Sequence, residues 1–124
     1  MAVSASDSIT TAVEHRDDIT LLSVGGEVDM ATAPVLEEVA DRLVAENPKA
    51  LIVDLTAVTF LASVGLRILA TTREEVSQSA SFAVVASGPA TARPIQLTRL
   101  DKLFSLYPTL DDALTGVRSD QLKG

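Results

Sequence analysis

One stretch of the chain combines residue types and spacing that suggest chemistry: Phe60-Leu61-Ala62-Ser63-Val64-Gly65-Leu66. Here an extended segment hands over to a helix at a serine. A serine in that place can cap the helix by accepting a hydrogen bond from a free N–H of the first turn. Gly65 asks for more than a cap, because glycine inside a helix costs about 1 kcal/mol relative to alanine. Either the helix start packs tightly on a sheet, or something must reach Ser63. A modifying enzyme needs such access, and free N–H groups with the helix dipole make the position a favourable seat for a phosphate. The rival reading, a serine nucleophile, lacks its frame. A nucleophile elbow needs glycine two residues before the serine, and Leu61 stands there. The single imidazole, His15, belongs to the first strand and reads as a solvated strand end. Gly25-Gly26-Glu27 has neither the lysine nor the glycine spacing of a phosphate loop. Glu27 and Asp29 stand two residues apart on a short polar exit and read as a solvated loop rather than a catalytic carboxylate pair. No catalytic residue is expected.

The elements that must position Ser63 follow from hydrophobic periodicity. Ile9 to His15 and Ile19 to Val24 read as two strands joined through Arg16-Asp17-Asp18, a hairpin that Gly25-Gly26 ends. Thr32 caps the next helix, with Pro34 tolerated in its first turn. Leu36, Val39, Ala40, Leu43 and Val44 form its apolar stripe. Leu51-Ile52-Val53 is a continuous apolar run, the mark of a strand covered on its faces. Residues 54–62 read as a loop with apolar anchors, and Ser63 opens a second helix running to about Ser79, with Gly65, Ile68, Leu69, Thr72 and Val76 inward. Phe82 to Ala86 is a strand, Thr91 to Leu97 a short helix and Leu103 to Tyr107 a strand. Thr109 to Leu114 opens a final helix, with acids in its first turn. The order is β-β-α-β-α-β-α-β-α. It predicts an α/β domain with a mixed sheet of about five strands, an antiparallel opening hairpin and otherwise largely parallel pairing, and about four helices. Residues 1–8 are expected to be a flexible N-terminus, 9–118 the domain and 119–124 a polar C-terminal tail.

Composition narrows the function classes. At 124 residues the chain holds one core. Its 17 acidic and 10 basic residues leave a net charge of −7, which a nucleic acid repels. With no cysteine there are no disulfides or thiolate metal sites, and one histidine makes no imidazole cluster, so neither metal nor cofactor is expected. Apolar runs fall short of a membrane span and the first residues lack the pattern of a signal peptide, so no membrane insertion and a cytoplasmic location are expected.

Three blocks at the right spacing resemble the STAS domain family, and within it the free-standing bacterial anti-sigma factor antagonists. They are Gly26-Glu27-Val28-Asp29-Met30-Ala31-Thr32-Ala33, the run Leu51 to Leu66 with Asp54-Leu55-Thr56 and Ala62-Ser63-Val64-Gly65-Leu66, and Leu100 to Leu114. The resemblance covers about residues 9 to 116. It implies a protein that binds an anti-sigma factor, itself a serine kinase, and so frees a sigma factor. The kinase then phosphorylates the serine corresponding to Ser63, and a phosphatase resets the switch. Two residues flanking Ser63 depart from the family pattern: Ala62 replaces an aspartate and Val64 a serine or threonine. Arg99 stands where the family has glycine. The alternative implied is a STAS adaptor or scaffold in a lipid-transport or sensory complex, not phosphorylated. The expected partner surface comprises Asp29, Met30, Thr32, Ser63, Val64, Leu66 and Arg67, because apolar side chains beside a reachable serine make a binding patch.

Overall fold

The computed structural model describes residues 2–5 and 9–123. Its strands are β1 (Ala2–Ala5), β2 (Ile9–Arg16), β3 (Ile19–Val28), β4 (Ala50–Leu61), β5 (Ser81–Val85) and β6 (Ser105–Tyr107). The helices are α1 (Ala33–Ala45), α2 (Ser63–Glu75), α3 (Ala92–Leu97) and α4 (Leu110–Lys123), with a 3-10 helix at Leu100–Lys102. The strands lie side by side in chain order. β1 and β2, then β2 and β3, pair antiparallel, and β3 through β6 run parallel. The five expected strands and four helices are all present in the expected order. Ala2–Ala5 adds a sixth strand on the edge beside β2, inside the segment expected to be a flexible end; Met1 and residues 6–8 of that segment lie outside the described residues. Of the expected polar tail, residues 119–123 continue α4, and Gly124 lies outside the described residues.

Two apolar layers hold the sheet. Leu22, Leu51, Val53 and Val84 pack toward α1, α2 and α3, whose Leu36, Val39, Leu69 and Ile95 complete the larger core. Leu21, Ile52, Ala83 and Val85 point the other way and are covered by Ala113, Leu114 and Val117 of α4. The Leu51-Ile52-Val53 run is apolar throughout because both faces of this inner strand are covered. Behind Tyr107 of β6, α4 approaches so closely that a Cβ on Gly116 would stand 2.0 Å from the phenol oxygen.

β4 departs most from the sequence reading. It has no loop at 54–62: it continues to Leu61, and β3 likewise passes Gly25-Gly26 to end at Val28. Two register shifts explain the difference. Ser23 to Gly25 on β3 spans Asp54 to Ala57 on β4, and Gly26 to Glu27 spans Val58 to Phe60, so β4 carries an extra residue twice. Each bulge moves the next core-facing residue from two positions along to three. Hence Val53, Leu55, Val58 and Leu61 all reach the same core while period-two alternation is lost. α2 is also shorter than expected. Val76 turns extended (φ −70°, ψ 152°) and drops its side chain into the core, which stops the helix at Glu75.

Candidate functional site

The parallel pair β3–β4 delivers two chain exits to one end of the sheet. Val28 and Leu61 are paired, and the Ala62 N–H donates to the Val28 carbonyl at 2.9 Å. Two residues beyond each partner stand Met30 and Ser63. Met30 is 78% exposed. Ser63 is exposed at the first position of α2, and its hydroxyl makes no hydrogen bond among the described residues. It is therefore not the cap. The capping position is Ala62, which has extended backbone (φ −79°, ψ 168°) and no side chain able to bond the first turn.

Gly65 is where the helix start meets the strands. A Cβ there would lie 2.6 Å from Leu61 Cδ1 and 2.8 Å from Val28 Cγ1. Of the two reasons for a glycine, close packing is the one this geometry supplies. That packing anchors α2 with Ser63 turned to solvent.

The loop carrying Met30 is held by its own side chains. Asp29 Oδ1 accepts from the N–H groups of Ala31 (2.9 Å) and Thr32 (3.1 Å). Thr32 Oγ1 donates to the Glu27 carbonyl at 2.8 Å and accepts from the Asp29 N–H at 3.0 Å. Thr32 makes no capping bond to α1, because its hydroxyl is spent on the preceding loop.

Of the seven residues expected at a partner surface, the fold brings all to this end but presents only some. Met30, Ser63 and Arg67 are exposed, while Asp29 and Val64 are partly buried. Thr32 and Leu66 are buried, which corrects their assignment as contact residues: one ties the loop and the other packs in the core. Arg67, one turn after Ser63, pairs with Glu37 of α1 at 3.8 Å on the surface. The sequence reading missed Phe60, which it took for a loop anchor. Phe60 is 50% exposed, on β4 opposite Glu27. Its signal was an aromatic among the small residues before Ser63, unreadable until the bulges fix which side chains face inward.

The model of the STAS domain family matches residues 10–113. The chain belongs to that family. This STAS domain is 54% identical, over 97% of its length and 98% of the relative's, to the anti-sigma-F factor antagonist RsfB of Mycobacterium tuberculosis. It superposes on the crystal structure of an anti-sigma factor antagonist from Mycobacterium paratuberculosis with a TM-score of 0.89 and 61% identity, covering 93% of this chain and 98% of that one. The anti-sigma factor antagonist SpoIIAA in its unphosphorylated form shares the STAS fold at a TM-score of 0.70 and 15% identity, over 88% and 96% of the two chains. Among the described residues no helix is long and apolar enough to cross a membrane.

Proposed function

We propose that this STAS domain is an anti-sigma factor antagonist, acting in the cytoplasm as a binding switch without catalysis of its own. It engages an anti-sigma factor through the sheet end that carries Met30, Phe60, Ser63, Val64 and Arg67, and so frees a sigma factor for transcription. The likeness to named antagonists over nearly the whole chain supports the role. The observation that carries the switch is the exposed, unbonded hydroxyl of Ser63 at the start of α2. In this reading the anti-sigma factor is also the kinase that transfers phosphate to Ser63, and a phosphatase reverses the step.

The physical case is a difference between two environments. A phosphoserine carries about −1.5 to −2 charges at neutral pH. On the free domain it sits at a helix N-terminus, among N–H groups that Ala62 leaves uncapped, so the fold tolerates it. In the complex it must shed water, which without a cationic partner costs several kcal/mol. A loss of ~3 kcal/mol weakens binding by about two decades.

The test is incubation with the anti-sigma factor and ATP, phosphosite mapping by mass spectrometry, and calorimetric titration of variants. Modification at Ser63, tight binding by Ser63→Ala and at least tenfold weaker binding by Ser63→Glu at an unchanged melting temperature are expected. Phosphate elsewhere overturns the kinase step. A Ser63→Glu variant that binds like the parent overturns the charge switch.

A further inference from the structure

On the β5–β6 side of the sheet, α3 and the 3-10 helix that join these two strands carry a surface with its own chemistry. Leu97 is 71% and Leu103 51% exposed, two of the four large apolar side chains left in solvent among the described residues. Arg93 precedes Leu97 by four residues on α3 and shares its face, turned away from the buried Ile95. Arg99 and Lys102 lie between the two leucines, both exposed. Among the described residues none of these three cations has a salt-bridge partner. With Asp101 they give residues 93–103 a local charge of +2 in a chain of −7.

Arg99 is also held at φ 62°, ψ 23°, in the left-handed region where glycine is at home. A charged side chain kept at a position where glycine would remove strain is an observation that points to use.

We propose that this segment is a second docking surface, for an acidic segment of another protein in which aspartate or glutamate flanks aliphatic side chains. Arg93, Arg99 and Lys102 meet the carboxylates, and Leu97 and Leu103 the aliphatic groups. Charge decides the occupant. A peptide segment touches only the patch and meets its local +2, whereas an anionic bilayer is an extended plane that meets the whole −7. The surface is independent of Ser63. Ser105 of β6, two residues past Leu103, pairs with Ala83, which is level with Ile52 of β4 and Leu21 of β3, and β3 runs seven residues further to Val28, the partner of Leu61. At about 3.3 Å per residue the Leu103 side of the patch stands roughly 23 Å from that end along the strands, while Arg93, bonded through its N–H to the Gly88 carbonyl just past β5, is nearer. The proposal does not rest on what binds at Ser63.

The test is an amide NMR titration of the full isotope-labelled chain. The probes are an acidic peptide alternating glutamate with leucine, its glutamine-for-glutamate analogue, and phosphatidylglycerol vesicles. The acidic peptide is expected to shift amides of residues 93–103, with affinity that falls as salt is raised. Removing both charges, by Arg99→Gly with Lys102→Gln, should weaken it about tenfold, and Leu97→Ser should weaken it severalfold. Arg99→Gly should melt no lower than the parent, so its lost affinity is not lost structure. Ser63→Glu should bind the peptide unchanged. The proposal is overturned by no shift in this segment, by equal binding of the glutamine analogue, or by affinities indifferent to these substitutions. Response to vesicles alone would assign the patch to a lipid surface instead. Concentration-dependent shifts without any probe would assign it to a second copy of the chain.

Discussion

Ala62 and Gly65 bracket Ser63 and set opposite constraints on it. Ala62 occupies the capping position without a capping side chain. Ala62→Asp should stabilise the domain by about 0.5–2 kcal/mol, read by thermal denaturation, because the carboxylate bonds a free N–H and complements the helix dipole. The same change should make phosphate at Ser63 less well tolerated, since it fills the donors the phosphate would use and adds a like charge. A phosphorylated Ala62→Asp variant is therefore expected to melt below its unmodified form by more than phosphorylation costs the parent. Gly65→Ala should destabilise despite alanine's better helix propensity. Its methyl meets Leu61 and Val28 below 3 Å, and overpacking of about 1–3 kcal/mol outweighs the ~1 kcal/mol gained. The position of Ser63 at the helix start was legible from its neighbours. Its role as first helical residue rather than cap was not, because a serine satisfies either pattern and only the backbone angles of Ala62 decide.

The loop between β3 and α1 shows how an element can matter to a partner without touching it. Thr32 is 6% exposed, yet its hydroxyl joins the Glu27 carbonyl and the Asp29 N–H. Thr32→Val keeps the shape and removes both bonds. It should cost about 1–3 kcal/mol of stability and lower affinity for the anti-sigma factor by loosening Met30, while Met30→Ser should lower affinity with no loss of stability. Calorimetry and melting curves on the two variants separate positioning from contact. On β2, a hydrogen bond from Arg16 holds the Glu14 carboxyl below its usual range, and Glu14 correspondingly raises Arg16. A carboxyl lowered by folding adds stability above its unfolded pKa and loses it as pH falls through the folded one. Arg16→Gln should raise the Glu14 midpoint in an NMR titration toward its unfolded value and so remove this pH-dependent contribution. Helices and inner strands were legible because their periodicity is unbroken; the second half of β4 was not, because each bulge shifts the phase that periodicity reads. β1 gave no signal, since Ala-Val-Ser-Ala is too short and too plain to announce a strand before its neighbour is known.

Across the whole molecule, the two faces of the sheet divide the labour. α1, α2 and α3 cover one face, with Ser63 at the start of α2, and α4 alone covers the other. Gly116→Ala should loosen α4 against β6, because its methyl would collide with the Tyr107 phenol, and should lower the melting temperature by several degrees. Affinity at the Ser63 end should stay as in the parent, since distant sites behave additively. The same contact gives the protein an optical property. The chain has one tyrosine and no tryptophan, so its ultraviolet emission comes from Tyr107 alone, a ring seated between the last strand and the last helix. Emission from the untouched protein thus reports whether α4 is docked, with no dye or label. A partner that binds at Ser63 and brings neither tryptophan nor tyrosine should leave that signal unchanged, whereas one that prises α4 from the sheet should be seen at once.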